Sequence, residues 1–286
     1  MANRLKQLWD SGKPAVNGWL AIPSGFSAEV MAQAGWDSVT VDLQHGVQDY
    51  MSMVACFQAM QSHPVLPMVR VPWNEPGIVG KVLDAGAYGI ICPMINTRAE
   101  AEAFVSYCRY PPAGKRSNGP IRAGIYGVST SYQSTANQEV LCLPMIETQE
   151  AVDNLDAILD VPGIDAVYIG PSDLGFSMGL IPVLDREEQV ILDIYARILD
   201  ATKRRGIRAC VHCGSPAYAA ARACDECDLL LSRAGHGRPP HNCAATLPRS
   251  SAARKADAPP IPGACVPWRA GRGWLHGGRP PEARHD

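Results

Sequence analysis

The sequence predicts an α/β fold built as a (β/α)8 TIM barrel. Three observations point there. Eight short apolar runs recur up to about residue 232, segments of helical periodicity separate them, and 286 residues suit one large α/β domain with a tail.

The predicted strands span 17–22, 38–43, 67–71, 89–92, 140–146, 166–169, 208–211 and 228–231. Between them, helical spacing covers 27–34, 51–61, 77–85, 98–108, 149–159 and 186–204. Ser27 is placed to cap the first of these helices, its hydroxyl accepting from orphan N–H groups of the opening turn. Strict alternation implies right-handed βαβ units, a parallel sheet and, at eight strands, closure. An open nucleotide-binding sheet needs a Gly-rich phosphate turn after an early strand, and none is evident. The barrel domain is therefore read as 1–235.

Residues 236–286 are rich in Pro, Arg and Gly, as in Arg238-Pro239-Pro240 and Gly277-Gly278-Arg279-Pro280-Pro281. Such a stretch buries too little apolar surface to offset its ordering entropy, so a disordered tail is expected.

A net charge of -2 gives no overall bias toward nucleic acid or anionic membranes. No apolar run reaches the ~18 residues of a bilayer span. The start, Met1 to Lys6, lacks an apolar signal core, which predicts a cytoplasmic protein. Of ten cysteines, Cys56, Cys92, Cys108 and Cys142 stand singly in apolar runs and read as buried thiols. Cys210, Cys213, Cys224 and Cys227 form two zinc-like pairs, but Cys210 falls in a strand and Cys224 in a helix, which argues against a shared ion.

The chemistry sits at strand ends. Asp42-Leu43-Gln44-His45-Gly46 closes the second strand and Arg70-Val71-Pro72-Trp73-Asn74 the third. An arginine there suits a carboxylate or an oxyanion, or else an ion pair with a neighbouring strand's acid. Ile146-Glu147-Thr148 and Gly170-Pro171-Ser172-Asp173-Leu174 add two acids, which could hold Mg²⁺ or Mn²⁺ or simply cap helices. Four polar strand ends at one end of a barrel are stronger than any one of them.

With Arg109-Tyr110-Pro111-Pro112-Ala113-Gly114, these motifs resemble the HpcH/HpaI aldolase/citrate lyase group, the metal-dependent class II pyruvate aldolases, over about residues 18–231. The resemblance implies that Glu147 and Asp173 ligate a divalent ion, Mg²⁺ or Mn²⁺ with Co²⁺ or Zn²⁺ as alternatives. Arg70 would stabilise an enolate oxygen, and His45 would transfer protons with Asp84 holding its imidazole. The turn amides of Ser172 and Asp173 would receive the carboxylate of pyruvate or hydroxypyruvate. No Schiff-base lysine is required, so Lys81 and Lys115 are not nucleophiles.

Three departures stand out. Gln44 replaces a frequent Glu, and Met145 a frequent Gln. After Leu231 the family's last helix, which commonly packs across a homo-oligomer interface, has no counterpart; a shift of reading frame would give such a change. The expected substrates are a keto acid and an aldehyde. A barrel that binds metal or keto acid without turnover is the alternative.

Overall fold

Strands whose two faces are both buried read as near-continuous apolar runs, and their period-two alternation shows only in three dimensions. In the computed structural model, Trp19, Met68, Ile91, Leu143, Tyr168 and Cys210 belong to one buried cluster. Their neighbours Leu20, Val69, Ile90, Cys142, Val167 and Val211 belong to a second. The first fills the ring of strands and the second lies under the helices.

Residues 3–126, 132–224 and 229–232 are described. Every described residue belongs to one compact unit. The expected tail, 236–286, and Cys227 lie outside the described residues.

In chain order the elements are α1 (Arg4–Asp10), β1 (Ala15–Leu20), α2 (Gly25–Ala32), β2 (Ser38–Asp42), α3 (Tyr50–Met60), β3 (Leu66–Arg70), α4 (Pro76–Asp84) and β4 (Gly89–Cys92). There follow α5 (Arg98–Cys108), α6 (Ile121–Tyr126), α7 (Tyr132–Glu139), β5 (Leu141–Ile146), α8 (Gln149–Asp153), α9 (Leu155–Leu159) and β6 (Ala166–Ile169). The described part ends with α10 (Pro171–Ser177), α11 (Gln189–Lys203), β7 (Arg208–Cys213), α12 (Pro216–Cys224) and β8 (Leu229–Ser232). All strand pairs are parallel and follow sequence order, and β8 pairs with both β7 and β1, so the sheet closes.

The two ends of the ring differ. At the strand N-termini, Leu5 and Trp9 of α1 join the interior cluster and plug the opening. Asn3 caps α1 and donates from Nδ2 to Glu139 O at 2.7 Å, tying the plug to the segment before β5. Deeper inside, Asn17 Oδ1 accepts from Ser38 Oγ and Thr40 Oγ1, which satisfies these buried polar groups. At the strand C-termini the ring opens into a polar cavity.

Several predicted helices shift. The cap of α2 is Ser24, not Ser27: Ser27 lies inside the first turn and its N–H donates to Ser24 Oγ at 3.3 Å. The helix expected over 149–159 breaks at Asn154, whose Nδ2 donates to Asn96 O at 2.9 Å. The helix expected from 186 starts at Gln189, because Arg186 is wholly buried in the loop before it. Among the described residues, no helix is long and apolar enough to cross a membrane.

Candidate active site

The inward set of each strand carries its polar residue to the C-terminal end. Arg70 follows Leu66 and Met68 in β3, and Glu147 continues the series Leu141, Leu143, Met145 just past β5. Asp42 and Arg70 are paired in register across β2 and β3. Arg70 Nε donates to Asp42 Oδ1 at 2.8 Å and Nη2 to Oδ2 at 2.6 Å, a two-bond fork. Burial pushes the Asp42 carboxyl up, but the Arg70 hydrogen bond and charge and the loop amides outweigh it and leave it below its ordinary value.

The same Asp42 builds the loop that presents His45. Its Oδ1 accepts from Gln44 N at 3.1 Å and His45 N at 3.3 Å. The loop closes so tightly that a Cβ on Gly46 would lie 2.3 Å from Asp42 O, so only glycine fits there. His45 stands exposed at the cavity rim.

Glu147 is only 2 % exposed. Its Oε1 accepts from Met94 N at 2.8 Å, and Met94 holds φ 55 to aim that amide, a left-handed conformation unusual for a side-chain-bearing residue. Burial raises the Glu147 carboxyl to about 7; the Met94 amide and Arg70 pull it down, while the Asp173 charge pushes it further up. Neither acid is a helix cap. Thr148 caps α8 and Gly170 caps α10, with Asp173 in the first turn beyond.

These groups share a cavity of about 370 Å³ lined by His45, Arg70, Asp42, Ser172, Asp173 and the aromatic pair Trp19 and Tyr168, among others. Two larger cavities, about 400 and 610 Å³, gather no comparable set of acids around an arginine. The structure thus brings together His45, Arg70, Ser172 and Asp173, with Glu147 beside them.

Asp84 is not among them. It ends α4, which descends from the C-terminal end of β3 to the N-terminal end of β4, so it lies at the far end of the ring from His45. Its Oδ1 accepts from Arg116 Nη2 at 2.7 Å, and Arg116 sits between the rings of Tyr110 and Tyr132. The expected Asp84–His45 contact does not form within one chain. Here the position of a helix end overrides what the motif implied.

Sequence reasoning missed three contributors and left a fourth unnamed: the neighbouring strand's acid expected as an alternative partner for Arg70 is Asp42, which the strand register identifies. Trp19 donates from Nε1 to Asp42 Oδ2 at 3.2 Å. Tyr168 Oη lies 2.6 Å from His212 Nδ1, and His212 lines the cavity from the end of β7. A histidine closing an apolar strand, as in Val211-His212-Cys213, was the available signal. Of the two departures from the family pattern, Met145 lines the cavity, and Gln44 Oε1 is buried without a partner among the described residues.

The family model for HpcH/HpaI aldolase/citrate lyase matches residues 18–222. The chain belongs to this family. It is 39% identical over 231 residues to a hydroxypyruvate/pyruvate aldolase of Rhizorhabdus wittichii, covering 80% of this chain and 91% of that one. It is 37% identical over 211 residues to a 4-hydroxy-2-oxo-heptane-1,7-dioate aldolase of Salmonella dublin, covering 72% and 80%. A solved HpcH/HpaI aldolase/citrate lyase family protein of Burkholderia cenocepacia superposes with TM-score 0.73 at 31% identity, over 80% of this chain and 91% of that one. As a member of the HpcH/HpaI family the chain is an aldolase, a carbon–carbon lyase.

The cavity also fits a divalent cation. The buried Glu147 carboxyl stands beside a second carboxylate, Asp173, and the guanidinium that acts on it, Arg70, is already forked to Asp42, which leaves the pair short of positive charge. Its donors are hard oxygens, as Mg²⁺ and Mn²⁺ prefer. Among the described residues no three His, Cys, Asp or Glu side chains converge, so such an ion would have two protein ligands here and keep open positions.

Proposed function

We propose that this chain is a divalent-metal-dependent aldolase acting through the enolate of pyruvate or hydroxypyruvate, on a (β/α)8 TIM-type barrel spanning residues 1–235. Glu147 and Asp173 hold the ion, Mg²⁺ or Mn²⁺, with Co²⁺ and Zn²⁺ as substitutes. The observation that carries the reading is the buried Glu147 placed beside Asp173 and Arg70.

When bound, the ion supplies positive charge that stabilises negative charge developing on the keto oxygen. Arg70 serves the same oxygen. Two of its five N–H groups are committed to Asp42, which fixes the guanidinium plane and leaves the others for substrate. The amides of Ser172 and Asp173 receive the substrate carboxylate. In the addition direction, C3 of the keto acid loses a proton and bonds to the aldehyde carbon, whose oxygen gains a proton; His45 serves these transfers at the cavity rim. Tyr168 and Trp19 wall the cavity and keep Asp42 dry, which strengthens its fork with Arg70. A homo-oligomer and a cytoplasmic setting accompany this reading.

The test is oxaloacetate decarboxylation by the purified chain, before EDTA, after EDTA, and after adding back Mg²⁺ or Mn²⁺. Activity lost and restored is expected, because decarboxylation delivers the same enolate. Folded, metal-binding protein with no restored activity would instead make this a barrel that binds without turnover.

A further inference from the structure

We infer that Arg186 is a positioning residue: it clamps the short helix carrying Ser172 and Asp173, and through that helix sets the divalent-ion affinity of the site. The inference rests on the reading of Asp173 as a metal ligand.

Helix α10 has seven residues, and its cap, Gly170, offers no side-chain hydrogen bond. Two helical turns do not hold themselves in water, so the position of Asp173 must be set from outside the helix. Leu174, fully buried, anchors one side. The other side belongs to Arg186, which is 0 % exposed. Its Nε donates to Pro171 O at 2.9 Å, the carbonyl just before Ser172 and Asp173. Its Nη1 donates to Glu188 Oε1 at 2.7 Å, and its Nη2 to Ile181 O.

The guanidinium seats directly on Gly175, the middle of the helix. A Cβ there would lie 1.9 Å from Nη2 and 2.1 Å from Cζ, so the glycine is needed for close approach. The clamp is itself held. Tyr218 Oη donates to Arg186 O, and Gly214 N donates to Asp185 Oδ1, fixing the loop to the segment around the start of α12. Leu184 of this loop lines the cavity, so one segment supplies both a wall and the clamp.

A buried guanidinium costs several kcal/mol to desolvate, and the structure offsets that with three acceptors in fork geometry. They draw together the first turn of α10 and the loop behind it. A lysine has one nitrogen and cannot reach all three.

The experiment is Mn²⁺ binding to the full chain, followed by electron paramagnetic resonance of the free ion, with circular dichroism confirming the fold. Arg186→Lys should weaken binding about tenfold or more. In an Asp173→Ala background, where millimolar Mn²⁺ keeps residual binding measurable, the same change should add almost nothing, because the clamp acts through Asp173. A merely structural role would weaken both backgrounds alike. Wild-type affinity in Arg186→Lys, or an undiminished effect without Asp173, overturns the inference. Should Arg186→Lys not fold, Gly175→Ala displaces the guanidinium and keeps its charge; the same loss supports the clamp and wild-type affinity refutes it. Binding that Asp173→Ala leaves intact would instead remove the metal-site reading, and the clamp's role with it.

Discussion

Two arginine–aspartate pairs sit at opposite ends of the ring of strands. Arg70 and Asp42 meet at 2.6 Å, Arg116 and Asp84 at 2.7 Å, and both arginines are buried. By residue type and distance the two are near twins, although Asp84 is half-buried where Asp42 is buried. Arg70, however, opens on a cavity holding Asp173, with the raised carboxyl of Glu147 beside it, whereas Arg116, stacked on two tyrosine rings, lines a cavity whose one lining acid is its own partner Asp84. The difference teaches that an ion pair's role follows from the end of the barrel it occupies. Strand C-termini gather loops that can close on a substrate; strand N-termini here are plugged and braced.

The sharpest break in that symmetry is at Glu147. Glu147→Gln keeps an acceptor for Met94 N and removes the charge, so metal-restored oxaloacetate decarboxylation should fall more than ~100-fold. The melting temperature at neutral pH should not fall, since a buried carboxyl no longer has to ionise. Next comes the direct contrast of the arginines. Arg70→Lys loses the fork and should cost ~100-fold in kcat as well as stability. Arg116→Lys should lower the melting temperature and leave kcat within about twofold. Equal kcat losses in the two variants would dissolve the distinction.

The pH dependence sharpens it further. Glu147 in the folded, metal-free chain titrates near 7 against an ordinary 4.5, so between those values the folded state binds more protons than the unfolded. Stability is therefore unaffected below 4.5 and declines as pH rises toward 7, by roughly 3 kcal/mol at most. Asp42 has the opposite sign: its lowered carboxyl gives stability that is lost as pH falls through the acid range. Urea unfolding from pH 5 to 8 should show the Glu147 decline, which Glu147→Gln abolishes and saturating Mn²⁺ reverses. A flat profile in the metal-free wild type would mean that Glu147 is not a strained acid.

The strands were legible because both faces are buried, so each reads as an apolar run closed by Pro, Gly or a charge, as at Arg70-Val71-Pro72. Glu147 and Asp173 stood out as strand-end acids, yet metal binding and helix capping stayed open for each, and only the family resemblance implied a ligand role. What escaped depends on distance across the sequence. The partner of Arg70 emerges only when β2 and β3 align in register. Helix α10 is too short and glycine-containing to show a helical period, and Arg186 looks like any surface charge until Gly175 makes room for it. Asp84 does not reach His45 within one chain for a related reason. Periodicity placed it at the end of a helix, and the alternation of strand and helix already sends that end away from the cavity.

The smallest expected effect tests that last point. Asp84→Asn leaves Arg116 one neutral acceptor in place of a charged one and should cost on the order of 1–2 kcal/mol of stability. Within a single chain it cannot reach His45, so the rate of pyruvate addition to an aldehyde should stay within about twofold of wild type, measured as pyruvate consumption under saturating Mn²⁺. A large, selective fall in that rate at unchanged melting temperature would require the carboxylate to approach His45 from a second copy of the chain. The bracing end of one barrel would then complete the reacting end of another, and the contrast between the two pairs would hold inside a chain but not across the assembly.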